Sequence, residues 1–228
     1  MDDALLARPI WNALTSVQSG HAVRHGGAVR FHPEIGPLAA MPSDDEAGLA
    51  ALASLAEPGE LLAMIEQDIA SHPPGTLLER QSSAVQMVMD TPIAPFHHPD
   101  IIPLGDADAP EMQALAHLTE PGPFASRTHM LGQFWGIREE GRLIAMAGER
   151  TRMPRFGEVS AVCVHPDARG RGLGVLMVRK AASNLAAQGL RPFLHSYADN
   201  DAAIATYRRV GFRLAREVVI TMFRRRVA

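Results

Sequence analysis

Residues 158–189 constrain this chain more than any other stretch, because they read as strand, glycine loop and helix in immediate succession. Val159 to Val164 is a short apolar run rich in β-branched residues, the pattern of a buried strand. Pro166 and Asp167 end it, and Arg169-Gly170-Arg171-Gly172-Leu173-Gly174 follows. Leu173, Leu176, Met177, Ala181 and Leu185 then recur at helical spacing, and Gly189 is a natural stop. The glycines therefore sit at a helix start, where unpaired N–H groups and the positive end of the macrodipole suit a phosphate. Glycine lets a ligand approach the backbone closely, and the two arginines add charge.

Two common phosphate loops do not fit. The P-loop needs a Gly-Lys-Ser/Thr ending, which is absent, and the dinucleotide pattern needs its third glycine one position later than Gly174. Arg169, Gly172 and Gly174 instead resemble the acyl-CoA loop of the GNAT superfamily of N-acyltransferases, Arg/Gln-x-x-Gly-x-Gly/Ala. A second match follows one strand later, in Asn200-Asp-Ala-Ala-Ile-Ala-Thr-Tyr207-Arg-Arg-Val-Gly211-Phe212. There Asn200 suits an N-cap and Gly211 a C-terminal stop. The resemblance covers roughly residues 100–226 and extends to the glycine N-acyltransferase-like branch, some of whose members carry a degenerate copy of the fold in front of the active one.

The resemblance implies an α+β (α/β) fold: a mixed, mostly antiparallel sheet with a splayed central pair of parallel strands, flanked by helices. It implies acetyl-CoA as acyl donor and no metal. The pantetheine arm would pair with the backbone of Val162, Cys163 and Val164. The phosphates would meet Arg169, Gly170, Arg171, Gly172, Leu173, Gly174 and Val175, with Asn200 bonding the pantetheine or capping its helix. Transfer to an amine needs a base, an oxyanion donor and an acid for the leaving thiolate. Glu158, eleven residues before Arg169, is the expected base, its pKa raised by burial. Glu149 is second choice, and His195 and Tyr197 are candidate relays. Tyr207 is the expected acid. Cys163 is expected to be a small core residue rather than a nucleophile.

Composition narrows the classes. With 228 residues, 46% hydrophobic and 21% charged, the chain has room for one large or two small globular domains. A net charge of −3 gives no reason to expect a nucleic-acid partner. The lone cysteine excludes an internal disulfide, no apolar run reaches membrane length, and Met1-Asp-Asp lacks a signal pattern, so a cytoplasmic protein with no membrane partner is expected.

Residues 1–90 are expected to form an N-terminal α+β domain, either a degenerate GNAT-like half or a packing or dimerisation unit, so a homodimer is an open expectation. Leu5 to Leu14 suggests a helix, Gly26-Gly27 a hairpin turn, and Ser43 with Glu46 a capping box. Residues 91–99, with three prolines, read as a linker, and His97-His98 lacks the further ligands of a metal site. Residues 100–228 form the expected catalytic domain, with Asp108 capping its first helix. Phe124 and Arg127 lie in a loop expected over the acceptor, beside His195 and Tyr197. The expected reaction is direct acetyl transfer to a primary amine of a small molecule or peptide. A non-catalytic acyl-CoA sensor, or transfer to a hydroxyl or a protein N-terminus, are the alternatives.

Overall fold

The computed structural model describes residues 2–68, 71–91 and 93–227. Pro92, inside the expected linker, and Met1 lie outside the described residues. In chain order the elements are α1 (Asp2–Ala7), α2 (Pro9–Leu14), β1 (Ala22–His25), β2 (Ala28–Phe31), β3 (Ala39–Ala40), α3 (Glu46–Ala53), β4 (Leu61–Glu66) and β5 (Thr76–Met89). Then come β6 (Ile102–Leu104), α4 (Ala109–Thr119), β7 (Phe134–Glu139), β8 (Arg142–Met153), β9 (Phe156–Val164), α5 (Leu173–Ala187), β10 (Arg191–Tyr197), α6 (Asp201–Val210) and β11 (Phe212–Arg225).

One eight-stranded sheet runs in the order β4-β11-β5-β10-β9-β8-β7-β6, and a small sheet β1-β2-β3 stands beside it. Among the described residues, only β9 and β10 pair in parallel within the large sheet. The fold is thus α+β with a mixed, mostly antiparallel sheet. The boundary expected at residue 90 falls inside this sheet, because β5 lies between β11 and β10. The apolar run that marks a strand covers only Ala84 to Met89. Residues 77–81 are exposed, so the pattern hid the first half of β5.

α5 packs one face of the sheet through Met177, Val178, Ala181 and Leu185, against Val159 and Leu194. α1 and α2 cover the other face, where Leu6 and Ala13 meet Val88, Phe156 and Phe193. The expected opening helix is two helices because Pro9 begins the second, and proline cannot continue a helix that precedes it. Asp45, not Ser43, caps α3: its carboxylate accepts from Gly48 N at 2.8 Å, and Ser43 donates to Asp45. Asp108 makes no cap bond either; its carboxylate accepts from Gly105 N and Arg138. The chain ends in one long strand, β11, with a bulge between Leu214 and Arg216.

Candidate active site

β9 and β10 pair only where Arg191–Phe193 meets Phe156–Glu158, and beyond Glu158 the ladder between them stops. On its other side β9 carries a bulge. Gly148 pairs with Ser160 and Met146 with Cys163, so Ala161 and Val162 oppose a single residue of β8. Ala161 takes up the turn with φ 50°, a conformation an L-residue enters only when its surroundings hold it there. The two strands therefore diverge, and residues 159–164 have no ladder partner on the β10 side, with the side chains of Val162 and Val164 half-buried.

Gly172 takes φ 78° at the N-cap of α5, and a Cβ added there would meet no atom within 4 Å. The position thus needs glycine for its backbone conformation and leaves open space above the helix start. That space belongs to a cavity of about 470 Å³ lined by Ile93, Gly172, Val175, Arg179, Arg209 and Val210. Arg169 is exposed and makes no ion pair among the described residues, whereas Arg171 is held by both oxygens of Glu139 at 2.8 and 3.1 Å. Ile93, Arg179 and Arg209 were missed from the sequence. The available signal was that Val175 and Arg179 stand one turn apart on the helix face above the glycine loop. Asn200 caps α6, accepting from Ala203 N at 3.1 Å.

Tyr207, on α6, is 9% exposed and packs edge-on against Phe212. Burial, with Cys163 close by, pushes its phenol up to about 12. Burial likewise raises the Cys163 thiol to about 12, against the pull of a hydrogen bond with Thr119. Both groups therefore hold their protons at neutral pH, which suits Tyr207 to giving one up and leaves Cys163 inert.

Glu158 points to the opposite face, beneath the N-terminal helices, and is fully buried. Its Oε1 accepts from Arg150 Nη2 at 2.6 Å and His195 Nδ1 at 2.7 Å; its Oε2 accepts from Arg150 Nε at 3.0 Å and Thr151 N at 3.3 Å. Burial alone would raise its pKa, as the sequence led us to expect. The charge of Arg150 and the bond from His195 outweigh it and hold the carboxyl well below the usual carboxylate range. All four acceptor positions are filled. A bulge in β8 aims Arg150 at its target, since residues 150 and 151 both oppose Glu158. Gln18 braces that bulge, donating to Arg150 O at 2.7 Å and accepting from Arg152 N at 2.9 Å. His195 Nε2 lies 3.1 Å from the Gln86 amide, which also donates to Leu6 O. Glu149 faces α5 instead, bound by Asn184 and Gln188 at 2.8 and 3.1 Å.

A cleft of about 910 Å³ opens beside the end of β10, with Tyr197, Phe124, Arg30, Arg80, Glu60 and Met222 in its wall. A cavity of about 40 Å³ shares Tyr197 and Met222 with it and reaches inward to Arg150 and His195. Phe124 both lines the cleft and packs edge-on against Phe134, so it fills core and wall at once. Arg127 does not line it. It is exposed and tied to Glu34 at 3.0 Å, pinning the 121–128 loop to the N-terminal region. His195, 3% exposed in its side chain, is part of the Glu158 cluster.

Known proteins resemble this chain in sequence and fold. A family model described as FR47-like protein matches residues 134–220. A putative acetyltransferase from the GNAT family of Novosphingobium aromaticivorans has a solved structure 43% identical to this chain. It superposes with a TM-score of 0.91, over 97% of this chain and 99% of that one. A mycothiol acetyltransferase of Corynebacterium jeikeium is 41% identical over 75 residues, 32% of this chain and 20% of the relative. One from Mycobacterium sp. (strain JLS) is 33% identical over 120 residues, 50% of this chain and 37% of the relative. The chain thus spans little more than a third of these curated relatives at most.

Proposed function

The chain belongs to the GNAT family of acetyltransferases, and from that premise we propose that it transfers an acetyl group from acetyl-CoA to the amine of a small molecule. The observation that carries this is the divergence of β9 from β10, with a cavity over the glycine loop and a large cleft beside the end of β10. The backbone of Val162 to Val164 is assigned to the pantetheine arm. A free N–H of that strand would receive the carbonyl oxygen as it becomes an oxyanion. Arg169 to Val175 would hold the phosphates, joined by Arg179 and Arg209, and Asn200 supports α6 beside them.

The amine nitrogen attacks the thioester carbon, the C–S bond breaks, and Tyr207 gives its proton to the departing thiolate. For the amine proton we favour water over Glu158. Every acceptor position on Glu158 is taken and its pKa is lowered, so it is a poor base in this arrangement. The 40 Å³ cavity between Tyr197 and His195 is large enough for about two waters and leads away from the cleft. A cleft of about 910 Å³ fits a small molecule better than a peptide segment, being within the range of small-ligand sites. The mycothiol acetyltransferases point to a small amine of that kind without fixing which one.

Calorimetric titration with acetyl-CoA, followed by thiol release against amines, amino acids and peptides, tests this. Binding and release with a small amine is the expected result. Binding with no release on any acceptor would leave a sensor, and no binding would remove the assignment of the glycine loop.

A further inference from the structure

Arginines in this molecule are mostly occupied. Arg30 is paired with Glu60, Arg127 with Glu34, Arg138 with Asp108 and Glu111, Arg150 with Glu158, and Arg171 with Glu139. Arg80, in the wall of the large cleft, has no carboxylate within ion-pair distance among the described residues. Its sequence neighbour Glu79 is bound through both oxygens to Arg224, at 2.6 and 2.8 Å. Glu79 is the extra residue of a bulge, between Leu78 paired with Phe223 and Arg80 paired with Met222, and its carboxylate is taken up by Arg224.

Arg80 is nonetheless held in place. Its Nε donates to Ser82 Oγ at 2.9 Å, and its guanidinium carbon lies 4.8 Å from the centroid of the Tyr197 ring. Stacking and that one hydrogen bond fix the guanidinium, while the two terminal nitrogens make no hydrogen bond among the described residues. A guanidinium fixed at Nε with its outer fork open matches the planar oxygens of an oxyacid, with little further ordering to be done on binding. The only other arginine in the same wall, Arg30, is neutralised by Glu60 at 2.7 Å. Arg80 is therefore the arginine of this wall that has no carboxylate partner, lying over the aromatic ring that ends β10, while Glu120 stands in the same wall and makes no ion pair among the described residues. Phe124, Leu61 and Met222 add apolar wall.

We propose that Arg80, stacked on Tyr197, is the recognition site for an anionic oxyacid group on the acceptor, so that the amine acetylated carries a carboxylate or a phosphate. This rests on the acetyltransferase reading for the identity of the cleft, but it can be measured without turnover. Equilibrium titration in the presence of CoA would compare L-leucine with L-leucinamide and phosphoethanolamine with ethanolamine. The same pairs would be run as acceptors by thiol release, for the full chain and for Arg80→Gln and Arg80→Lys.

The expected result is about tenfold tighter binding, and lower KM, for the anionic member of one pair. Which pair shows it decides between carboxylate and phosphate. In Arg80→Gln that ratio falls toward one, and in Arg80→Lys, which keeps the charge without the fork, it lies between. Equal binding within both pairs by the unaltered chain overturns the proposal, as does selectivity that persists in Arg80→Gln. Selective binding without thiol release would keep the anion site and remove the acetyltransferase reading. Release without selectivity would do the reverse.

Discussion

Tyr207 and Glu158 show how differently two buried ionisable groups act. Tyr207 is raised by burial and keeps its proton, so Tyr207→Phe should lower kcat by about 10²-fold or more while leaving the Kd for acetyl-CoA within about twofold. In the unaltered enzyme, any loss of rate from ionisation of this phenol belongs above pH 10, which a pH–rate profile would check. Glu158 is lowered, and the sign of its effect on stability is the opposite. Its contribution is fully present above the unfolded-chain value of about 4.3 and is lost as pH falls through the folded value. Urea unfolding should therefore show a steep loss of stability below about pH 4. Glu158→Gln leaves Arg150 without its counter-charge, at a cost of about 3 kcal/mol near neutral pH. The acid limb of the rate profile should be unchanged in that variant; a flattened limb would restore Glu158 as the base.

The bulge in β9 and the loop before α5 are the elements on which binding depends. Gly172→Val puts a β-branched residue at φ 78°, which should cost about 1–3 kcal/mol in stability and weaken acetyl-CoA at least tenfold by calorimetry. These elements also show what can be read from residues alone. The strand, glycine loop and α5 were legible because apolar periodicity, a breaker and a stop residue agree over residues 158–189. So was the α6 helix, from its Asn200 cap to the Gly211 stop. The Glu158 cluster was not. Its members come from β5, β8, β9 and β10, and only the register of those strands brings Gln86, Arg150 and His195 to one carboxylate. A glutamate's pKa rises or falls with its partners, and the sequence names the glutamate without naming them. Ala161 was equally hidden, since nothing in an alanine marks a left-handed residue.

Across the whole molecule, the N-terminal helices are part of the core and not an appendage. Leu6, Ile10 and Leu14 are at most 3% exposed, and at about 2 kcal/mol each their burial is comparable to the whole stability of an ordinary domain. Deleting residues 2–21, which also removes Gln18 and the Leu6 carbonyl, should abolish near-UV circular dichroism and cooperative unfolding. A truncated chain that still melts cooperatively would show the sheet to be self-sufficient. The order β4-β11-β5-β10 carries a further consequence. β5 must leave one whole edge vacant until β11 fills it, and partners such as Glu79 and Arg224 are 145 residues apart. During synthesis at about 5–20 residues per second, that edge waits on the order of ten seconds, a long exposure for an unpaired strand. Refolding of the released chain should be slow for the same reason, because the longest ladder in the sheet pairs residues 123 to 149 positions apart in sequence.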